Sequence, residues 1–270
     1  MELKMSESTP IKYDDSFCVV QANELIRSKQ DELSLMECKL IRLAIAQVLK
    51  DDTDLQTYSC KVNELARFLG ISEQNIYRDL QKIEDKLMKR LIYIKDFSKL
   101  DRKGNPGYKK FHWVETARYF DGVITYRLSQ DLKPYLVGLD RLFTEYGYEA
   151  ILGLPTSYSI RLYELIASYQ KLSISERGTT VMHGMTVDKN EYVFTIEYLR
   201  EYFNCEDKYP NTGDFIKRVI DSAVEAIQKN TSMRLTYQTI KNGRAIGYVV
   251  FKTHAWSDNA YQEMIVTELE

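Results

Sequence analysis

Between Tyr209 and Asn230 the chain reads YPNTGDFIKRVIDSAVEAIQKN, and its polar residues are of the types that bond the edges of base pairs. Asn211 and Thr212 stand at the start, Asp214 comes next, and Lys217 and Arg218 come one helical turn later. Asparagine can bond adenine through two hydrogen bonds, lysine or arginine can bond guanine, and an early aspartate can accept from a cytosine amino group. Lys208 lies near the helix entry. Downstream, MRLTYQTI, KNGR and AIGYVVFKT predict a β-hairpin with Asn242-Gly243 as a type I′ turn. Lys241, Asn242 and Arg244 then sit at its tip, a natural place to touch phosphates or a minor groove.

Residues for covalent or metal chemistry do not assemble in the same way. Cys18, Cys38, Cys60 and Cys205 are far apart with no C-x-x-C pair, and His112, His183 and His254 are equally scattered. That argues against a zinc site and against the H-x-H pair of a strand-nicking enzyme, and reduced thiols are expected. KGNPGYKK lacks the spacing and the strand–loop–helix context of a phosphate loop. The tyrosines read as core and interface residues. No catalytic residue, cofactor or metal is expected.

Helices and strands must hold such a face in place, and the periodicity supplies them. DELSLMECKLIRLAIAQVLKDD predicts a helix, with Ser34 and Glu37 as a capping box and an apolar stripe from Leu35 to Val48. TYSCKV (Thr57–Val62) predicts a strand leading into VNELARFLGISEQNIYRDLQKIEDKL, a pair of amphipathic helices. LIYIKDF reads as β, SKLDRKGNPGYKK as a loop, and FHWVETARYF and GVITYRLS as strands joined at Asp121-Gly122. Gln130–Pro155 predicts one or two helices, and SYSIRLYELIASYQK another. Leu172–Glu191 is polar and reads as an extended loop or hairpin.

The chain repeats itself. Val62, Leu65, Phe68 and Leu69 align with Ile196, Leu199, Tyr202 and Phe203, and each set is followed by a residue that tolerates the left-handed conformation, Gly70 or Asn204. A second amphipathic helix comes next in both, on Ile76, Leu80, Ile83 and Leu87 or on Phe215, Val219, Ala223 and Ala226. Each then gives strand, loop or turn, strand. This order predicts an α+β fold of two tandem winged helix-turn-helix domains, with boundaries at 14–150 and 151–257 and flexible tails at 1–13 and 258–270. In the first copy Ser72, Gln74, Asn75, Arg78 and Lys82 occupy the outer face of the second helix. Asp79, Glu84 and Asp85 dilute that face, so the second copy is expected to read more of the sequence.

The net charge of −2 does not suggest nucleic acid, but its distribution does. Eleven Lys/Arg against six Asp/Glu lie between Ser72 and Lys110, and seven against three between Tyr209 and His254, so basic charge gathers in both second-helix-plus-wing regions. No signal peptide or membrane span is apparent, and the cytoplasm is the expected location.

The chain resembles the iteron-binding plasmid replication initiators from about Val19 to Thr253. The resemblance rests on VVQANELI, LSLMECKLIRLAIAQV, ITYRLSQDLKPYL, FTEYGYEAILGLPTSYSIRLYELIASY, LREYF, DFIKRVIDSAVEAI and TSMRLTYQTIKNGRAIGYVVF. It implies a protein that binds directly repeated origin sites in double-stranded DNA and opens the adjacent duplex. It further implies recruitment of the host initiator, helicase and primase without cutting DNA. The same resemblance implies a monomer–dimer equilibrium through the N-terminal domain, with the dimer repressing its own operator. Tyr209 to Asn230 is then the reading helix, Asp214, Lys217 and Arg218 match the family's DNA-facing positions, and Arg244 matches the basic wing residue. The chain departs from the family's denser arginine cluster at Pro210-Asn211-Thr212 and at Ile216-Lys217-Arg218, and Leu172–Glu191 is long for a tight winged helix. Two readings of another class stay open on the residues alone: a winged-helix transcription repressor without an initiator role, and a protein-interaction module with no affinity for DNA.

Overall fold

Ser34 and Glu37 close a capping box: the Glu37 amide donates to Ser34 Oγ at 3.3 Å, and the Ser34 amide donates to Glu37 Oε2 at 2.7 Å. A helix starts there because two otherwise orphaned amides are satisfied. The computed structural model describes residues 9–10, 17–69, 71–170, 181–182 and 185–254. It divides into an N-terminal unit, residues 1–152, and a C-terminal unit, residues 153–270.

The N-terminal unit opens with β1 (Thr9–Pro10), β2 (Cys18–Ala22), α1 (Asn23–Arg27), β3 (Lys29–Gln30) and the capped helix α2 (Leu35–Ile45). Next come β4 (Thr57–Lys61), α3 (Val62–Leu69), α4 (Glu73–Leu87), β5 (Leu91–Leu100), β6 (Pro106–His112), β7 (Val114–Phe120) and β8 (Val123–Leu128). A 3-10 turn, α5 (Lys133–Leu136), β9 (Phe143–Gly147) and α6 (Glu149–Leu152) complete it. Val62, Leu65 and Ala66 of α3 and Ile76 and Leu87 of α4 are buried, against Ile41, Leu43 and Ala44 of α2 and the sheet residues Cys60 and Ile124.

Strand pairing corrects the position of the first wing. β4 pairs with β8 and β8 with β7, so the hairpin closing the sheet beside the helix pair is Val114–Leu128. The Lys-rich β5–β6 hairpin is an insertion that pairs with β3 instead. The basic segment from Ser72 to Lys110 is therefore helix plus inserted hairpin, not helix plus wing. Asp121 and Gly122, with φ of 46° and 73°, form the true wing turn and carry positive φ at both central positions, as a type I′ turn requires.

The stretch from Gln130 to Pro155 is also corrected. Only short helical pieces form, and Phe143–Gly147 is a strand paired antiparallel with β2. Gly138 and Leu142 sit at φ of 65° and 53°, which ends any helix, and Thr144 and Tyr146 then alternate inward with period two. Buried Thr144 donates to Asn23 Oδ1 at 2.6 Å across this pairing.

The C-terminal unit runs α7 (Ser157–Gln170), β10 (Val181–Met182), β11 (Met185–Thr186), β12 (Glu191–Thr195), α8 (Ile196–Tyr202) and α9 (Thr212–Phe215). A π-helical stretch, Ile216–Asp221, continues into α10 (Ser222–Asn230), followed by β13 (Arg234–Asn242) and β14 (Ala245–His254). α7 is buried from Ser159 to Ser168 because α10 and the aromatic sheet residues Tyr192 and Phe194 cover it. Sheet order β12-β14-β13 repeats β4-β8-β7, so the duplication read in the helices extends to the strand wiring. Within Leu172–Glu191, β10 and β11 pair as a short hairpin, while residues 171–180 and 183–184 lie outside the described residues. So do Gly70 and most of the two tails.

A cap is worth about 1 kcal/mol, whereas a fully buried aliphatic side chain is worth roughly 1.5–3 kcal/mol. Packing rather than capping therefore holds α2. Ser34→Ala is expected to lower the unfolding free energy by about 0.5–2 kcal/mol, and Ile41→Ala, at a site 1 % exposed, by about 2–5 kcal/mol. Urea denaturation ranks the two, and a larger loss for Ser34→Ala would reverse this assignment.

Candidate nucleic-acid interface

The C-terminal helix pair is joined by a turn that contains no glycine between Tyr202 and Thr212. Thr195 caps α8 by accepting from the Tyr198 amide at 3.1 Å, and Asn204 ends it at φ 53°. Tyr209 also adopts φ 52°. Arg200 holds this turn: its guanidinium donates to the carbonyls of Cys205 at 3.0 Å, Lys208 at 2.8 Å and Tyr209 at 2.7 Å. The same group lies 4.7 Å from the ring of buried Phe215, the last residue of α9. One side chain thus fixes the turn and the entry angle of the second helix.

That helix buries Phe215, Ile216, Val219, Ile220 and Ala223, and it exposes Asp214, Lys217 and Arg218. Ile216 is largely buried, with its edge bordering a groove between this helix and the β13–β14 hairpin. The Arg218 guanidinium lies 5.9 Å from the centroid of the Tyr209 ring, within cation–π reach. Asn211 is exposed, but its side chain accepts from the Gly213 amide at 2.7 Å and caps the helix. Its primary engagement is therefore local. Thr212 is half-buried as the first helical residue, and Lys208 is half-buried in the preceding turn.

At the wing, Lys241, Asn242 and Arg244 are all exposed. The turn differs from the expected one. Asn242 pairs with Ala245, so the two turn residues are Gly243 and Arg244, and of these only Gly243 has positive φ, at 67°. That is the type II′ pattern, with glycine at the first central position. A bulge between Ile240 and Lys241 shifts the register, and a Cβ at Gly247 would lie 2.5 Å from Asn242 Cβ, so only glycine fits there. Two of the basic residues near the helix have internal duties. Lys252 pairs with Glu191 at 3.2 Å and Asp188 at 3.6 Å, and Arg234 donates to the carbonyls of Gln228 and Thr231.

In the N-terminal unit Ser72 caps α4, accepting from the Asn75 amide at 3.3 Å. Gln74, Asn75 and Lys82 are exposed beside Glu73 and Asp85, which leaves a face of mixed sign. The side chain of Arg78 lies outside the described residues. Tyr77, 43 % exposed, meets Tyr119 of β7 edge-on at 6.4 Å and covers Gly122 at the wing turn. The reading helix expected from Tyr209 begins only at Thr212, because Tyr209 lies in the turn with positive φ and Asn211 is the cap. Sequence reasoning missed Arg200 and Tyr77; the arginine inside LREYF and the absence of glycine after it were the available signal for the first. Among the described residues no group of His, Cys, Asp and Glu could hold a metal ion, and no helix is long and apolar enough to cross a membrane.

Two helix pairs, each packed with a β4-β8-β7 or β12-β14-β13 antiparallel array (extended in the first unit by parallel β1) and a projecting hairpin, define a protein of tandem winged-helix domains. Family models identify both: the initiator replication protein WH1 model matches residues 18–167, and the initiator Rep protein WH2 model matches residues 195–253. The chain belongs to this family of replication initiator proteins. It is 26 % identical over 261 residues to a replication initiation protein of Escherichia coli, covering 93 % of this chain and 73 % of the relative. A PI protein of Escherichia coli is 25 % identical over 166 residues, which cover 56 % of this chain and only 50 % of that protein. The fold is similar to that of the Pi initiator protein solved in complex with iteron DNA, at a TM-score of 0.66 and 19 % identity over 91 % of this chain and all of that one.

Arg200 satisfies three carbonyls at once, and hydrogen bonds to charged groups are worth about 1.5–3 kcal/mol each. Arg200→Ala is expected to destabilise the C-terminal unit by about 2–4 kcal/mol. Arg200→Lys should recover only part, because an ammonium lacks the planar fork. Thermal unfolding of the full chain checks this, and a lysine variant equal to wild type would remove the fork from the explanation.

Proposed function

We propose that the protein initiates replication by binding directly repeated sites in double-stranded DNA. The helix Thr212–Asn230 enters a major groove, and the β13–β14 hairpin rests on the flanking backbone. One observation carries the reading. Lys217 and Arg218 are exposed on a helix whose opposite face is core, with Arg218 beside Tyr209 and the exposed Lys241 and Arg244 at the adjoining wing. Family membership supports the initiator role, and a relative of the same fold was solved on iteron DNA. Asp214, Lys217 and Arg218 read bases, Lys208, Lys241, Asn242 and Arg244 hold the backbone, and Asn211 and Thr212 set the helix N-terminus against it. Ser72, Gln74, Asn75, Arg78 and Lys82 give the N-terminal unit an auxiliary, positioning contact.

Footprinting on DNA flanking the protein's own gene is the decisive test. Protection of a repeated array supports the reading, and uniform weak protection at all sequences refutes it. On the protected repeat, Lys217→Ala and Arg218→Ala are each expected to weaken binding by about 1–3 kcal/mol, and wild-type affinity in both would sink the base-reading assignment. Lys241→Ala and Arg244→Ala should weaken all sequences alike and lower the salt slope by about 1 each, so an unchanged slope counts against the wing contact.

Origin opening, recruitment of the host initiator, helicase and primase, and autorepression as a dimer belong to the same proposal, supported by the family resemblance. The N-terminal unit provides the dimer contact. Sedimentation velocity across a wide concentration range is expected to resolve monomer and dimer, and a single species throughout would overturn the self-association.

A further inference from the structure

The second helix and the wing of the C-terminal unit diverge from one another. At one end they are bound tightly: Gln228 on α10 donates to the Leu235 carbonyl, and Arg234 on β13 donates to the Gln228 carbonyl at 3.2 Å. Further toward the exposed residues an open groove separates Gly213, Ile216 and Lys217 on the helix from Gln238, Thr239 and Ile246 on the hairpin. At the base of that groove the Tyr237 hydroxyl donates to Asp221 Oδ1 at 2.8 Å.

We propose that Asp221 and Tyr237 are positioning residues, whose hydrogen bond sets the angle between the reading helix and the wing and thereby the discrimination between DNA sequences. The inference rests on the DNA-binding reading above. Asp221 closes the π-helical stretch that carries Lys217 and Arg218, so a constraint there acts directly on the rotation of both. Tyr237 is a firm anchor, because its ring packs on fully buried Phe251 with centroids 6.2 Å apart. An exposed carboxylate this close to a polyanion is unfavourable for binding in general. Its place is understandable where it accepts a bond that fixes geometry. Burial and the neighbouring Asp221 raise the Tyr237 pKa well above the ordinary phenol value, so the hydroxyl stays a donor throughout the neutral range.

The test uses the full chain and a duplex that wild type selects from a random-sequence pool, with single-mismatch versions of it as competitors. Tyr237→Phe removes the hydroxyl and keeps the ring on Phe251. Asp221→Ala removes the acceptor, whereas Asp221→Asn keeps an acceptor and removes only charge. Tyr237→Phe and Asp221→Ala are expected to reduce the selected-to-mismatched affinity ratio about 5- to 10-fold, with the salt slope and melting temperature close to wild type. Asp221→Asn should retain most of the ratio, and the double variant Tyr237→Phe/Asp221→Ala should be no worse than either single variant. If wild type discriminates and the two disruptive variants discriminate equally well, the positioning role is overturned. It is overturned too if Asp221→Asn loses as much as Asp221→Ala, since charge rather than the bond would then be responsible. A wild type that selects no duplex at all would instead refute the DNA-binding reading on which the inference stands.

Discussion

A helix-turn-helix needs a short connection that changes direction sharply, and chains usually place glycine there because positive φ costs other residues about 1–2 kcal/mol each. The C-terminal unit has no glycine between Tyr202 and Thr212, and Asn204 and Tyr209 both adopt positive φ. The three carbonyl bonds from Arg200 offset that cost. Its stacking against Phe215 then carries the constraint into the helix that exposes Lys217 and Arg218. Tyr209 gains a second use from its strained backbone, because its ring lies within cation–π reach of the Arg218 guanidinium. Turn geometry and the orientation of the basic face are thus one problem with one solution.

The two units share sheet wiring but differ in the segment that leaves the second helix. In the C-terminal unit the chain passes directly from α10 into the wing. In the N-terminal unit it first makes the β5–β6 hairpin, which pairs with β3 and only then gives way to β7 and β8. Charge counted along the sequence therefore assigns lysines to a wing that does not contain them. One of those lysines, Lys110, is engaged within the hairpin, 5.0 and 5.1 Å over the rings of Tyr93 and Tyr108. Net local charge is a poor guide where an insertion and a wing both come after the same helix.

Most helices were legible because an apolar stripe at 3.6-residue spacing is a local signal, as with α2, α3, α4 and α8. The outward residues of the second helix in the C-terminal unit were legible for the same reason: once Phe215, Val219 and Ala223 face the core, Asp214, Lys217 and Arg218 must face away. The features that escaped were non-local. Nothing within Phe143–Gly147 announces that its partner is Cys18–Ala22, and a periodic run with Pro and Gly reads as helix until the pairing is seen. The wing turn escaped for a subtler reason. Asn-Gly is a strong local signal for a type I′ turn, but the bulge at Ile240/Lys241 moves the register by one and draws Asn242 into the strand. The Tyr237–Asp221 bond joins two different elements, with a sequence separation of 16, beyond the reach of any spacing rule.

The copies also diverge in how the angle between helix and wing is filled. In the N-terminal unit Tyr77 projects from α4 onto Tyr119 and over Gly122, so an aromatic pair occupies the space between the second helix and the wing turn. In the C-terminal unit the corresponding space is an open groove bordered by Lys217, Gln238 and Thr239, with the Tyr237–Asp221 hydrogen bond along it. A filled angle leaves a rigid surface there, beside the mixed charges of Glu73, Lys82 and Asp85. An open angle suits the proposed straddling of a DNA strand, but only if something holds helix and wing at the right separation. Duplication thus supplied the same scaffold twice, with different contents in one cleft.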